Sequence, residues 1–376
     1  MPSNSTIKFI DFNRKYKRYK KEINSSVGRV FKRGWFVGGP ERAEFENKFC
    51  RYLDAKYAVG VNSGTDSIAI ALKSAGINPG DEVITTSHTA TPTISAIRIT
   101  GAIPVFVDID SSTLNIDSKL IEKKINSRTK AILPVHLYGY PADMDVICKL
   151  ADKHNLLVIE DACQAHGAKF KGRAVGTIGD VGCFSFYPTK NLGAFGDAGA
   201  IVTNNKKIAE TAVMLRNFGE VGKYKNKIEG VNSGMDELQA AFLSWELNEL
   251  NKWNKERAQI AETYFKNLIG LPIKLPPKGD VKHNRVWHLF VIQVARRDSL
   301  RKFLKEQGID TSIHYPTPVF KQEAYRFLKY TEKDLPITVK TVNNILSLPI
   351  YPELKILEAT TICDKIRKFY GQHNAI

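Results

Sequence analysis

The sequence predicts an α/β protein. A mostly parallel, seven-stranded sheet in a large domain (1–250, with an N-terminal helical segment) precedes a smaller α+β domain (251–376). Three observations carry this. Short apolar runs alternate with helical patterns from Tyr57 to Asp161, as strands and crossover helices of a parallel sheet do. Two further strands follow Asp180, joined by a glycine-rich stretch. The proline- and glycine-rich segment Gly270–Gly279 then separates a second group of elements.

The expected strands are Tyr57–Val61, Glu82–Thr85, Pro104–Asp108, Ala131–His136, Leu156–Asp161, Cys183–Tyr187 and Ala200–Thr203. Between the first five lie helices over Ser67–Ala75, Pro92–Thr100, Lys119–Ile125 and Asp145–His154. Proline opens the second of these, where the first turn tolerates it. A long helix is read over Asp236–Leu250. A strand over Trp287–Val294, a helix over Asp298–Gln307, a short strand near Ser312–Tyr315 and a helix over Leu357–Tyr370 complete the chain.

The 376 residues carry 43% hydrophobic and 25% charged side chains, ordinary for a soluble domain pair. No apolar run is long enough to cross a bilayer, and Met1–Asn13 has no signal-peptide core, so a cytoplasmic protein is expected. Five scattered cysteines offer neither a CxxC pair nor metal spacing, so no metal and no disulfide is expected. The net charge of +16 raises nucleic acid as a partner. The basic residues are spread along the chain, however, and the densest run, Arg14–Lys21, reads as an amphipathic helix with Tyr16, Tyr19 and Ile23 on one stripe and a solvated basic face. Neither a nucleic-acid nor a membrane partner is expected.

Ligands of parallel sheets bind beyond the carboxyl ends of the strands, and three segments there carry chemistry. Asn62–Asp66 (NSGTD) follows a strand and opens a helix, where free N–H groups and the dipole favour phosphate. Gly64 permits close approach, and Ser63 and Thr65 bring hydroxyls. Helix capping by Asn62 or Ser63 is the simpler reading. Asp161 ends a strand and precedes Gln164. A carboxylate so placed can keep a pyridine nitrogen protonated while the amide meets the phenolic oxygen. A turn carboxylate is the alternative, and Glu160 competes for the role. Lys190 follows an apolar strand and precedes Gly193, Gly196 and Gly199; desolvation there makes an amine nucleophilic. Ser185 is placed to share its pocket. An exposed loop lysine is the alternative. Together the three segments supply what pyridoxal phosphate (PLP) requires.

These motifs resemble the DegT/DnrJ/EryC1/StrS family of sugar aminotransferases, PLP-dependent transferases of fold type I. The similarity runs from Gly34–Glu46 through NSGTDSIAIAL, IEDACQAHGA, GDVGCFSFYPTKNLGAFGDAGA and GIDTSIHYPTP to LSLPIYPEL. The run Ser87–Ile97 is similar to members acting at C-3 of dTDP-3-keto-6-deoxyhexoses. The resemblance implies that Lys190 bonds the cofactor, Asp161 pairs with the pyridine nitrogen, and Gln164 meets the phenolic oxygen. Gly64, Thr65 and Ser185 would hold the phosphate, joined by Asn232 from the other subunit of a homodimer. His314 and Tyr315, with Tyr187, would meet the nucleotide-linked keto-sugar, though either of the first two could be structural. Glutamate or glutamine would be the amino donor, in surface-polysaccharide or other glycoconjugate synthesis. Amination at C-4 of a UDP- or GDP-sugar, amination of a keto-cyclitol, and a non-catalytic regulator are the alternatives. Three positions depart from the family: Gly234 where arginine is usual, Ala90 where an aromatic ring stacks on PLP (leaving His88 or Thr91 to serve), and Ala198 for glycine.

Overall fold

The computed structural model describes residues 6–373, so the first five residues of the segment read as a polar N-terminus lie outside it. The central sheet has strands β1 (Tyr57–Val61), β2 (Glu82–Thr86), β3 (Ile103–Val107), β4 (Thr129–Ile132), β5 (Leu157–Asp161), β6 (Val181–Ser185) and β7 (Gly199–Thr203). Their spatial order is β1-β7-β6-β5-β4-β2-β3. Only β7 is antiparallel to its neighbours, β1 and β6. The fold-class expectation holds.

Helices α1 (Phe12–Arg33), α2 (Pro40–Leu53), α3 (Gly64–Ser74), α4 (Thr91–Ile99), α5 (Ser118–Ile121), α6 (Met144–His154), α7 (Lys206–Leu215) and α8 (Glu237–Leu268) accompany the sheet. Ile68 and Leu72 of α3, Ile94 and Ile97 of α4, and Ile208 of α7 pack on one face. Phe45 and Phe49 of α2, Ile147 of α6, and Leu243 and Leu250 of α8 pack on the other. Strand alternation divides neighbours between these layers: Ile159 faces the first and Val158 the second.

The C-terminal part pairs β8 (Phe290–Gln293) antiparallel with β9 (Ile345–Leu348). It adds α9 (Arg297–Glu306), α10 (Pro336–Val342) and α11 (Ile356–His373). Its core joins Phe290, Leu346 and Ile362 to Tyr264 of α8.

Several elements depart from the sequence reading. Helix α8 continues eighteen residues past Leu250 because Trp253, Ile260, Tyr264 and Leu268 prolong its buried stripe. Residues 250 and 251 therefore lie inside one helix. The expected helix over Lys119–Ile125 is a single α turn followed by a 3₁₀ turn at Glu122–Lys124. Ser312–Tyr315 forms no strand and makes only a bridge from Ser312 to Ser347.

Helix α1 differs most. Tyr19 and Ile23 are buried against Phe242 and Trp253, but Tyr16 is exposed. Its basic face is not simply solvated. Arg14 forms two hydrogen bonds to Glu358 (2.7 and 2.6 Å), Arg18 pairs with Glu256 (2.6 Å), and Lys15 lies 2.7 Å from the buried Glu246.

Candidate active site

The carboxyl ends of the strands enclose a cavity of about 390 Å³, lined among others by Gly64, Thr65, Asp161, Gln164, Ser185 and Lys190. That volume lies within the usual range for small-molecule sites.

One wall is the start of α3. Ser63 caps it, its Oγ accepting the Asp66 N–H at 3.1 Å. The Gly64 and Thr65 N–H groups belong to the first turn, which has no acceptor within the helix, and they lie at the positive dipole end. A Cβ on Gly64 would stand 2.4 Å from Ser185 Cβ, and one on Gly199 would stand 2.2 Å from the Ser63 carbonyl oxygen. Two glycines thus let the ends of β6 and β7 close on the helix terminus. Capping and cradle coexist, because Ser63 satisfies a different N–H.

Asp161 and Glu160 end β5 and point to opposite faces. Glu160 is wholly buried and accepts the N–H groups of Gly176, Ile178 and Gly179, each at 2.7 Å, and faces His136 Nε2 at 2.9 Å. It is used up in holding a turn. Asp161 lines the cavity. Its Oδ1 accepts the Cys163 N–H (3.1 Å) and its Oδ2 accepts the Thr93 hydroxyl (2.8 Å).

Lys190 sits in the connection from β6 to β7. That connection is wound tightly: Lys190 N–H donates to the Tyr187 carbonyl (2.8 Å), Ala194 N–H to Phe186 (2.8 Å), and Phe186 N–H to Ala198 (2.7 Å). Burial pushes the Lys190 ammonium below its ordinary pKa, against an opposing pull from Cys163 and Asp161. Among the described residues Nζ has no ion-pair or hydrogen-bond partner. A desolvated amine facing a carboxylate and a phosphate cradle fits an aldehyde cofactor with an anionic tail and a basic ring nitrogen.

Gln164 is fixed at both ends of its amide. Oε1 accepts the Tyr138 N–H (2.9 Å), and Nε2 donates to the Tyr315 hydroxyl (3.0 Å). Tyr315 and Tyr187 line the cavity, Tyr187 from an exposed position. His314 does not line it. It stacks on Phe9 (5.6 Å between centroids), and its Nδ1 lies 2.9 Å from Ser347 Oγ.

His88 is not in the lining either. It is buried, with Nε2 3.0 Å from the Tyr138 hydroxyl. That hydroxyl donates its only proton to the His314 carbonyl, so His88 Nε2 is the donor, and the buried Nδ1 has no partner among the described residues. Burial lowers the His88 pKa to about 4, keeping it neutral near pH 7. Its Nε2 is spent on Tyr138, and the ring does not line the cavity.

Asn232 is exposed and outside this cavity, on a segment bridged to Asn217. At Gly234 a guanidinium is already close by: a Cβ there would stand 3.8 Å from Arg42 Nη1. Ala90 lines the cavity at the start of α4, whereas Ala198 is buried. The sequence reading missed Thr93, Tyr138 and Arg42. A threonine in the first turn after Pro92, at the carboxyl end of β2, was a signal for the first; nothing marked the others.

A mostly parallel sheet with this lysine, carboxylate and helix-terminus cradle at its carboxyl edge defines a PLP-dependent aminotransferase of fold type I. The chain belongs to the DegT/DnrJ/EryC1/StrS aminotransferase family, whose profile matches residues 17–367. It is 44% identical over 364 residues to the dTDP-3-amino-3,4,6-trideoxy-alpha-D-glucose transaminase of Streptomyces venezuelae, covering 96% of both chains. It is 45% identical over 363 residues to the dTDP-3-amino-3,6-dideoxy-alpha-D-galactopyranose transaminase of Aneurinibacillus thermoaerophilus, covering 96% of this chain and 99% of that one. The crystal structure of S. venezuelae DesV with a ketimine intermediate superposes with a TM-score of 0.95 at 44% identity, covering 97% of this chain and 99% of that one.

Proposed function

We propose that the chain transfers an amino group from glutamate (or glutamine) to C-3 of a dTDP-linked 3-keto-6-deoxyhexose. The observation that carries this is one cavity holding Lys190, Asp161 and the Gly64–Thr65 cradle in a chain 44–45% identical, end to end, to two transaminases of dTDP-3-amino sugars.

Bound PLP supplies an electron-withdrawing ring that stabilises negative charge at the carbon losing its proton. The protein positions and moves protons. Lys190 Nζ would hold the cofactor's aldehyde carbon and, as a free amine, would take the proton from the donor's α-carbon; burial favours the neutral amine this needs. Asp161 would balance the positive ring nitrogen, and Gln164, held by Tyr138 and Tyr315, would offer its second Nε2 proton to the phenolic oxygen. Gly64, Thr65 and Ser185 would hold the phosphate. Tyr187 and Tyr315 border the space for the sugar nucleotide, with His314 supporting Tyr315 from behind.

The site is read as shared between two subunits, with Asn232 serving the other subunit's phosphate. Supporting this, Trp35, Phe36, Val37 and Val231 are about half-exposed on segments joined by the Val37–Asp236 bridge, beside Asn232. Exposed apolar side chains grouped in this way suit burial against a second subunit. Residues 1–250 would then hold the cofactor groups and 251–376 would close over the substrate, with α8 common to both. No helix among the described residues is long and apolar enough to cross a membrane.

The test is a panel of dTDP-, UDP- and GDP-linked keto-sugars with glutamate, read by mass spectrometry. A dTDP-3-amino-6-deoxyhexose is the expected product, lost in Lys190→Ala. Amination only at C-4, or only of a UDP- or GDP-sugar, overturns the substrate assignment, and wild-type turnover by Lys190→Ala overturns the site.

A further inference from the structure

Two buried threonines form a chain of hydroxyls ending on the acid at the base of the cavity. Thr93 Oγ1 lies 2.8 Å from Asp161 Oδ2, and Thr89 Oγ1 lies 2.9 Å from Thr93 Oγ1. Both threonines are almost wholly shielded from solvent, at 2% and 1% exposure for Thr89 and Thr93. Their order is fixed by proton counting. An ionised carboxylate only accepts, so Thr93 spends its single hydroxyl proton on Asp161. The contact between the two threonines must then be donated by Thr89. The arrangement is a one-way relay, Thr89 to Thr93 to Asp161.

The backbone sets it up. Thr89 is the second residue before Thr91, where α4 begins, and Thr93 sits in its first turn, its N–H donating to the Ala90 carbonyl (3.1 Å). Pro92 fixes the entry to that helix. The Cys163 N–H holds the other oxygen, Oδ1, at 3.1 Å. The carboxylate is thus gripped once on each oxygen, from two different elements, so its plane cannot swing about the Cβ–Cγ bond. Each oxygen keeps a lone pair for a ligand.

We propose that Thr93, polarised by Thr89, is a positioning residue that fixes the plane of the Asp161 carboxylate. The proposal rests on the reading that Asp161 meets the cofactor's ring nitrogen. A donor that is itself hydrogen-bonded donates more strongly, so Thr89 tightens the grip of Thr93 on Oδ2. Removing the Thr93 hydroxyl leaves Oδ2 ungripped, and the acid then holds a positively charged ring less firmly. Removing the Thr89 hydroxyl only weakens the donor.

The experiment uses the PLP-loaded enzyme and isosteric variants. Thr93→Val is expected to lower the single-turnover rate with L-glutamate, followed by cofactor absorbance, about tenfold, and to speed loss of PLP on dialysis by a similar factor. The KM for glutamate should stay within about twofold, because the hydroxyl is spent on Asp161. Thr93→Ser should recover most of both losses. Thr89→Val should show a smaller effect of the same sign, and Thr89→Val/Thr93→Val no more than Thr93→Val alone. Thr93→Ala, with thermal unfolding of each apoprotein, separates a folding defect from loss of the hydroxyl. Wild-type rate and retention in Thr93→Val beside an impaired Asp161→Asn overturns the proposal and spares the site. Wild-type behaviour of Asp161→Asn overturns the site reading beneath it. Multiplying losses in the double variant overturn the relay.

Discussion

Lys15 Nζ and Glu246 Oε1 lie 2.7 Å apart directly beneath the loop that carries Lys190, the carboxylate wholly shielded from solvent. The same ammonium donates to the Gly193 carbonyl (3.3 Å) and lies 5.1 Å from the ring centres of both Phe195 and Trp253. A residue of the N-terminal basic run is therefore a brace for the loop that carries Lys190.

Lys15→Met should strand the Glu246 charge and cost about 3 kcal/mol of stability. Burial already pushes the Glu246 carboxyl above its usual pKa, against the pull of Lys15. Lys15→Met/Glu246→Leu should recover most of the loss, since an apolar pair needs no counter-charge. Urea unfolding of the three proteins checks this; equal losses in the single and double variants would contradict it.

Gly64→Ala should damage cofactor binding more than folding. The new methyl would stand 2.4 Å from Ser185 Cβ, so the helix terminus and the end of β6 must part. The strain is worth about 1–3 kcal/mol. Isothermal titration of the apoprotein with PLP should show weaker binding, and unchanged affinity would mean that the cradle is not the phosphate site.

Two adjacent carboxylates should give opposite phenotypes. Glu160→Gln weakens the grip on three N–H groups and on His136 and should cost the apoprotein about 2–3 kcal/mol, within the range for hydrogen bonds to a buried charge. Asp161→Asn should leave apoprotein stability nearly unchanged while PLP washes out on dialysis. Denaturant curves and cofactor absorbance after dialysis read the two effects separately.

Acid should unfold the protein partly through His88. The unfolded imidazole takes a proton near pH 6.5, whereas burial holds the folded one down to about pH 4. The unfolded state binds more protons in that window, so stability is present above pH 6.5 and is lost as pH falls toward 4. The shift corresponds to about 3 kcal/mol at most. His88→Asn should lose less stability than wild type between pH 7 and 5 in urea unfolding; parallel losses would remove His88 from the account.

The strand order was legible because each buried parallel strand is a short apolar run bounded by turn residues, and a crossover helix must follow. That Lys190, Asp161 and Gln164 would meet at one cavity was legible because each follows the carboxyl end of such a run. Contacts between distant elements were not. Thr93 reaches Asp161 across 68 positions, and Tyr138 meets His314 across 176. No local pattern encodes such pairs, so His88 was read as facing the cofactor when its partner is Tyr138. In α1 periodicity identified the buried Tyr19 and Ile23, but nothing in the run showed that Arg14, Lys15 and Arg18 have acidic partners more than 200 residues away.

Because β7 runs against its neighbours, the chain doubles back after β6 instead of departing into a crossover helix. Lys190 consequently rides a hairpin whose two legs are laced together, from Ser185 opposite Gly199 to Phe186 beneath Ala198. The backbone at Lys190 is pinned in turn to Tyr187, and that of Ala194 to Phe186, so the side chain's four methylene groups are where Nζ keeps its freedom to move.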